Sequence, residues 1–333
     1  MTSILEKIVV HSDARQGYTI VKKRLFFEDA GYDYTEDTGT QFEAEYDGVK
    51  FYVSSVCDGH AGYMASYSVT GMVKELFLQS LEEKSGDLEA TVRLLFEKIT
   101  AKVLSIKDHL GISGTTCNVT VIDPQNEQVV FASLGDSPSL LYSKNSNGLY
   151  FLEHKTEDQD CADIRERERM AQIHISNGDT MATSDTVVFE VKDYEGNQTG
   201  VFRNKKTECM LHASFGDFYN NYYPGMVTTV PRIYKWAWTR GQVLVQCSDG
   251  LLESLDSRKI GIQPQTEFRV QEIASHLDVC ENDQNVAYSL HEMQIESMYS
   301  TKLEAHPYRS DSSKKWVETT FDNHITNVFM WCK

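Results

Sequence analysis

The chain has 333 residues, and its 49 acidic and 32 basic side chains give a formal net charge of −17. A charge of this sign argues against nonspecific binding to nucleic acid or to an anionic membrane surface, because both are themselves negative. No stretch approaches the ~18 consecutive apolar residues of a membrane span, so we expect neither nucleic acid nor membrane as a partner.

The first part of the chain changes from a strand pattern to helical patterns. Residues 51–56 predict an apolar strand, and Cys57-Asp58-Gly59 then predict a turn that carries a carboxylate. From Ala61 onward the apolar residues recur at helical spacing, and a second helix is predicted over residues 88–106.

After the second helix the pattern becomes that of β-strands. Residues 115–122 and 128–134 predict a hairpin, and its second strand runs into Gly135-Asp136-Ser137. Residues 139–143 and 149–152 extend the predicted sheet.

Residues 156–209 form the polar middle of the chain and are weakly patterned, apart from a charged helix around residues 165–169. We interpret this region as a flap or insert subdomain within a single domain that spans residues 1–333.

The C-terminal part returns to alternating strands and helices. A strand over 242–247 ends at Asp249, helices follow over 267–278 and 284–300, and a last strand over 325–331 comes after Asp322. Helices inserted between groups of antiparallel strands are typical of packed sheets flanked by helices, so the order predicts an α+β fold.

Carboxylates recur at the ends of these strands. Asp58, Asp136 and Asp249 each follow an apolar strand, and Asp322 precedes one. Taken singly, each is explained as a turn residue. Taken together, strand ends of one core converge on a common edge, where crowded carboxylates would need cations, and all-oxygen sites suit Mg²⁺ or Mn²⁺. Spacing alone leaves both interpretations open.

Six segments in order resemble the motifs of the metal-dependent protein phosphatases of the 2C type, the PPM family of serine/threonine phosphatases. The segments are R-x-x-x-E-D-A at 24–30, D-G-H-A-G at 58–62, G-T-T at 114–116 leading to G-D-S at 135–137, L-H-A-S-F-G-D-F at 211–218, S-D-G-L-L-E at 248–253 and D-N-H-I-T at 322–326. Together they cover about residues 20–330, nearly the whole chain.

The resemblance implies a fold and an activity. The fold is a central sandwich of two antiparallel β-sheets flanked by helices, an α/β/β/α arrangement with a binuclear Mg²⁺ or Mn²⁺ centre at one end. The activity is hydrolysis of phosphoserine and phosphothreonine in phosphoprotein substrates, by direct attack of a water or hydroxide that bridges the two metals.

Site residues are carried over by position. The resemblance implies that Arg24 holds the substrate phosphate and that His60 protonates the leaving oxygen. It implies metal ligands at Asp58, Gly59, Asp249, Asp322, Glu28, Asp29 and Asp136. Of these, Asp136 would belong to a weaker third metal site.

Four positions depart from the family pattern, of which the mildest is Ala61 in place of a glycine. Glu253 stands in place of an aspartate, Pro138 follows the G-D-S segment where arginine is usual, and Phe215 lies where the S-R-x segment would place or adjoin arginine. These departures support an alternative function, a catalytically inactive phosphatase-fold scaffold that binds protein partners. The clustered carboxylates of the family motifs are present, which argues against that alternative, because a binding scaffold does not need crowded negative charges.

A cysteine phosphatase is a further alternative, because Cys161 and Arg167 have the C-x5-R spacing of that class. The intervening residues lack glycine and place Asp163 and Glu166 where backbone amides would cradle an anion, which disfavours it. Residues 219–223, rich in tyrosine, form either a substrate-facing rim or a half-buried loop.

The cysteines bear on the cellular compartment. The seven cysteines include no C-x-x-C pair, which argues against a zinc knuckle or a disulfide framework. We therefore expect reduced thiols in a cytoplasmic protein, with the nucleus as the alternative, and we expect a monomer.

Overall fold

The computed structural model describes residues 8–15, 18–21, 24–27, 35–192, 198–205, 213–218, 225–252, 263–280, 285–300, 318–321 and 324–331. Two five-stranded antiparallel sheets pack face to face, and helices cover their outer faces. Within the described residues, no helix combines the length and the apolar character that crossing a membrane requires.

The first sheet has five strands joined by antiparallel pairing. In spatial order they are β15 (Arg232–Ala237), β9 (Gln128–Leu134), β8 (Cys117–Asp123), β5 (Val49–Cys57) and β4 (Thr38–Tyr46). Alternate residues of β5 and β8, such as Val53 and Val119, face the helices and are fully buried. The helices that cover this face are α1 (Met64–Glu83) and α2 (Leu88–Ser105). The Asp87 side chain caps α2 by accepting from the backbone N–H of Ala90.

The second sheet joins strands from distant parts of the chain. In spatial order they are β1 (Ile8–Arg15), β18 (His324–Trp331), β16 (Val243–Cys247), β10 (Ser139–Lys144) and β11 (Tyr150–Lys155). Its outer face packs on α5 (Gln263–Val279) and α6 (Val286–Ser300), through a core that includes Val245, Ile273 and Leu290.

Smaller elements complete the described chain. They are α3 (Lys107–Leu110), the sheet β14 (Phe215–Gly216), β7 (Gly114–Thr115) and β6 (Gly59–His60), the sheet β17 (Glu318–Phe321), β2 (Tyr18–Val21) and β3 (Arg24–Phe27), and the hairpin β12 (Val188–Lys192) and β13 (Gln198–Asn204). Strand β6 directly follows β5 in the chain and β7 directly precedes β8, so the short sheet β14–β7–β6 lies at the edge where β5 ends and β8 begins.

The polar middle of the chain has a small hydrophobic cluster of its own. Its helix α4 (Ile164–Ser176) contributes Met170, which is fully buried with Cys161 and Met226. Arg232 of β15 ties this region to the first sheet, because its guanidinium lies 3.1 Å from Glu166 and also contacts Asp163.

The interior between the two sheets has an apolar half and a polar half. The apolar half consists of the buried side chains of Ile122, Val129, Phe131, Leu141, Trp238, Leu244 and Phe329. The polar half is a network in which Ser54 donates to Gln246 at 2.8 Å and Gln246 donates to the carbonyl of Asn118 at 2.8 Å. Asn327 donates to Ser54 at 3.0 Å. All four of these polar side chains are buried.

The structure confirms the predicted α+β sandwich and most of its elements. The helix predicted over 88–106 is Leu88–Ser105, and the last strand predicted over 325–331 is His324–Trp331. The helix predicted after Ala61 begins at Met64. Strand β4 was not predicted, because only Phe42 and Ala44 of its residues are buried and the rest of its pattern is polar.

Candidate active site

Carboxylates from both sheets meet at one edge of the sandwich. Asp58 directly follows β5 of the first sheet, and Asp249 follows β16 of the second after a single serine. Their side chains are hydrogen-bonded to each other, and the charge of Asp136, beyond the end of β9, also acts on Asp58. The convergence predicted for these three strand ends is therefore present in the structure.

The electrostatics of Asp58 reflect this crowding. Burial raises the pKa of Asp58 well above its usual value, and the charges of Asp37, Asp249 and Asp136 raise it further. Two carboxylates in direct contact repel each other, so either one of them holds a proton or a cation lies between them. The arrangement is therefore one that a bound cation would stabilise.

Two acidic residues of this site were missed by the sequence analysis. Glu36 and Asp37 lie just before β4, whose first residue, Thr38, pairs with Cys57. The Asp37 carboxylate accepts a hydrogen bond from the backbone N–H of Gly59 at 3.3 Å, and Glu36 accepts one from the N–H of Gly62 at 2.6 Å. The signal in the sequence was the Glu-Asp pair itself, which repeats the Glu28-Asp29 pair a few residues later.

Glycine at position 59 is required by close packing. A Cβ atom on Gly59 would lie 2.3 Å from the carbonyl oxygen of Glu36 and 2.8 Å from the hydroxyl of Ser66. No side chain fits there. Glycine at this position therefore allows the turn after Asp58 to pack directly against Glu36 and Asp37.

The backbone of Asp58 is fixed by the G-T-T segment. The carbonyl of Asp58 accepts from the backbone N–H of Thr116 and from the hydroxyl of Thr115, each at 2.9 Å. The N–H of Asp58 donates to the Thr116 hydroxyl at 3.1 Å. These bonds hold the carboxylate-bearing turn against the start of β8.

His60 is paired with a buried aspartate. Its Nε2 lies 2.7 Å from Oδ2 of Asp217, and the histidine side chain is 37% exposed whereas that of Asp217 is 6% exposed. Burial lowers the pKa of His60, but the hydrogen bond and charge of Asp217, with the charges of Asp136 and Glu36, outweigh it and raise the pKa above its usual value. The site therefore favours a protonated imidazole.

Some of the predicted site lies outside the described residues. Glu28, Asp29, Asp322 and Glu253 all fall there, as do the tyrosines of 219–223. Arg24 begins β3, and only its backbone is described.

The departures that are described have structural explanations. Phe215 is fully buried, and its ring centroid lies 5.4 Å from that of Phe96, so it serves the core rather than a phosphate. The carbonyl of Pro138 accepts from the N–H of Cys247 at 3.0 Å and so joins the chain before β10 to the end of β16.

The C-x5-R spacing does not form an anion cradle. Cys161 is fully buried, and residues from Ile164 to Arg167 belong to α4, which is capped by the side chain of Asp163. A thiolate there would face apolar neighbours, so the structure disfavours the cysteine phosphatase alternative.

The donor set fits a hard divalent cation. Among the residues that the structure describes, no group of three or more His, Cys, Asp or Glu side chains has metal-binding geometry. However, Asp58 and Asp249 are in direct contact, with Asp37 and Asp136 close enough to shift the pKa of Asp58. Carboxylate oxygens are the ligands that Mg²⁺ and Mn²⁺ prefer.

Comparisons with known proteins assign the family. The family model for protein phosphatase 2C matches residues 36–277, more than half of the chain. The chain therefore belongs to the protein phosphatase 2C family, whose members are generally metal-dependent. The match begins at Glu36, so it includes Asp58, His60, Asp136 and Asp249, while Arg24, Glu28, Asp29 and Asp322 lie outside it.

Solved structures agree on the fold. The serine-threonine phosphatase 2C of Toxoplasma gondii superposes with a TM-score of 0.62 at 14% identity, covering 97% of this chain and 98% of that one. A sex determining protein of C. elegans superposes with a TM-score of 0.60 at 16% identity, covering 97% of this chain, which spans 64% of its length. No curated protein sequence matches the chain significantly.

Proposed function

We propose that this chain is an active, metal-dependent phosphatase that hydrolyses phosphoserine and phosphothreonine in protein substrates. The observation that carries the proposal is the hydrogen-bonded contact of Asp58 and Asp249, which come from different sheets. Like charges in contact destabilise a fold unless a cation or a proton joins them, so the contact is best explained as half of a metal site.

The proposed ligands are Asp58, the carbonyl of Gly59, Asp249 and Asp322. Glu36 and Asp37 lie beside them, since their carboxylates accept hydrogen bonds from the N–H groups of Gly62 and Gly59. Asp322 is included because β18 begins next to the end of β16, where Cys247 pairs with Thr326. The roles of Glu28, Asp29 and Asp136 remain predictions. When bound, Mg²⁺ or Mn²⁺ lowers the pKa of a coordinated water and neutralises charge on the phosphate.

The chain's own residues supply binding and proton transfer. In this proposal the Arg24 guanidinium holds the phosphate through two parallel hydrogen bonds. His60 donates a proton to the serine or threonine oxygen as it leaves, a role that the raised pKa of His60 favours at neutral pH.

The polar middle of the chain is proposed to be a flap on a single phosphatase domain that spans residues 1–333. Its own hydrophobic cluster around Met170 and its attachment through Arg232 support this proposal. The cysteines that the structure describes form no disulfide bonds, which supports a reducing compartment such as the cytoplasm or the nucleus, and we propose a monomer.

A catalytically inactive scaffold is the second candidate. The burial of Phe215 at the position where the family motif has or adjoins an arginine favours it, because the core ring cannot contact a phosphate.

The test is phosphate release from a phosphothreonine peptide with Mn²⁺, with the chelator EDTA, and with the variant Asp249→Asn. We expect turnover that needs Mn²⁺ and that Asp249→Asn abolishes. Asp123→Asn is the matched control, because Asp123 is likewise an aspartate at a strand end, but it closes β8 and accepts from the N–H of Asn126 in the turn to β9. Absence of Mn²⁺-dependent turnover in the wild type would support the scaffold instead.

A further inference from the structure

The imidazole of His60 has one nitrogen committed to a protein partner. Its Nε2 lies 2.7 Å from Oδ2 of Asp217, which is 157 residues away in the sequence. A carboxylate only accepts hydrogen bonds, so Nε2 must carry the proton of this bond. The nitrogen that can serve a substrate is then Nδ1, on a side chain that remains 37% exposed.

Asp217 is held rigidly in its place. Its backbone adopts a left-handed conformation with φ of 53°, which is uncommon for a residue other than glycine. Its N–H donates to the carbonyl of Ser113 at 3.2 Å, and the hydroxyl of Ser214 donates to the same Oδ2 that faces His60. A carboxylate fixed from two sides defines the plane and position of the ring that it binds.

The contact also depends on a glycine of β7. A Cβ atom on Gly114 would lie 2.2 Å from Oδ2 of Asp217 and 2.3 Å from Nε2 of His60. Even a methyl group therefore cannot coexist with the contact between the two side chains. The missing side chain at position 114 is part of what allows His60 and Asp217 to meet.

We propose that Asp217 is a positioning residue for His60, which orients the imidazole so that Nδ1 faces the leaving oxygen of the substrate. The role rests on the proposed function, in which His60 is the general acid. Asp217 touches neither the substrate nor the phosphate; it acts by holding the ring.

This role predicts an effect that depends on the leaving group. An alkoxide leaving from phosphoserine needs a proton in the transition state, whereas nitrophenolate leaves with little such help. General acid catalysis is typically worth about 10²–10⁴-fold. We therefore expect Asp217→Asn to lower kcat for a phosphoserine peptide by about tenfold or more, and to change kcat for nitrophenyl phosphate by less than about threefold.

The experiment measures both rates at saturating Mn²⁺ in the full chain. Asp123→Asn controls for the loss of a buried carboxylate, because Asp123 is 2% exposed and accepts three hydrogen bonds far from His60 in the fold. We expect that control to leave the ratio of the two rates unchanged. When Asp217→Asn is added to His60→Gln, we expect kcat for the phosphoserine peptide to fall by less than about a further twofold. The reason is that the effects of residues that act as a unit are not additive.

The outcomes separate this role from the proposed function. A wild type without Mn²⁺-dependent hydrolysis of either substrate overturns the proposed function and this role with it. Wild-type turnover with equal losses on both substrates, or with additive losses in the double variant, overturns only the role of Asp217. If Asp217→Asn does not fold, Gly114→Ala tests the same contact, and an unchanged rate ratio in that variant overturns the role as well.

Discussion

The two halves of the space between the sheets differ in chemistry although the same strands build both. In the apolar half, Phe131 and Leu141 pack with Phe329. In the polar half, the Gln246 side chain accepts from Ser54 and donates to both the backbone carbonyl and the side-chain oxygen of Asn118. Gln246 lies three residues before Asp249, and Ser54 lies four residues before Asp58.

The difference separates stability from positioning. Apolar contacts are not directional and contribute free energy in proportion to the area that they bury. Buried hydrogen bonds contribute less in net terms but fix one relative position, since a shift would leave polar groups unsatisfied. The polar half therefore fixes the position of β5 relative to β16, the two strands that lead to Asp58 and Asp249. The apolar half supplies the free energy that holds the sheets together.

The largest expected effect is on stability in the apolar half. Phe131→Ala removes a fully buried ring from between the sheets, and such truncations cost about 3–5 kcal/mol of the free energy of unfolding. Urea denaturation measures this loss. The comparison further predicts that kcat of the folded fraction stays within about twofold of the wild type, and a much larger fall in kcat would show that the two halves are not separable.

Asp249→Asn should have the largest effect on turnover. Loss of groups that merely support a metal ligand typically costs 10–100-fold, so we expect loss of a direct ligand to lower kcat/KM by more than about 100-fold. In EDTA the same variant should be at least as stable as the wild type, because it removes a charge beside Asp58. Lower stability in EDTA would contradict the idea that the contact is repulsive without a cation.

Mn²⁺ should raise the melting temperature of the wild type. A ligand that binds only the folded state adds about 2.7 kcal/mol at one hundred times its dissociation constant. Thermal unfolding with and without millimolar Mn²⁺ measures this gain, and Asp249→Asn should reduce it. An equal gain in both proteins would place the cation elsewhere.

The smallest effect expected is in the polar half. Gln246→Leu removes partners of Ser54 and Asn118, and unsatisfied buried groups cost about 1–3 kcal/mol. Because Gln246 fixes the strand that leads to Asp249, the Mn²⁺ concentration for half-maximal activity should rise as well. Leu244→Ala, in the apolar half of the same strand, is the matched control. A rise of equal size in the control would remove the distinction between the halves.

The sequence predicted the elements whose pattern is local. The short strand runs of β8 and β9 and the helical spacing of α1 and α2 are visible within single windows, because the strands are buried along nearly their whole length and each helix buries one face. Strand β4 buries few apolar side chains, so its pattern is weak. Its register with β5 is a tertiary fact, and that register is what brings Glu36 and Asp37 to Gly59.

The convergence of the strand-end carboxylates was predicted from local patterns, whereas contacts that only the fold creates were missed. Asp58, Asp136 and Asp249 each follow a strong strand, which is why their convergence was predicted. The partner of His60 was not predicted, because Asp217 is distant from it in the sequence. Asp217 directly follows the two-residue strand β14, which is too short to show a periodic pattern. The turn conformation at Asp217 and the absence of a side chain at Gly114 become meaningful only in three dimensions.

The pairing of β1 with β18 has a consequence for the order in which the protein can be completed during synthesis. Ile8 pairs with Trp331, so β1 leaves the ribosome long before its partner exists. Asp58 likewise precedes Asp249 by roughly 190 residues, which is about 10–40 seconds of synthesis at ~5–20 residues per second. The first sheet can gather β4, β5, β8 and β9 early, but the second sheet forms late, and until then Asp249 does not meet Asp58. We therefore expect the proposed active site to form only after β18 has been synthesised and has paired with β16 and β1.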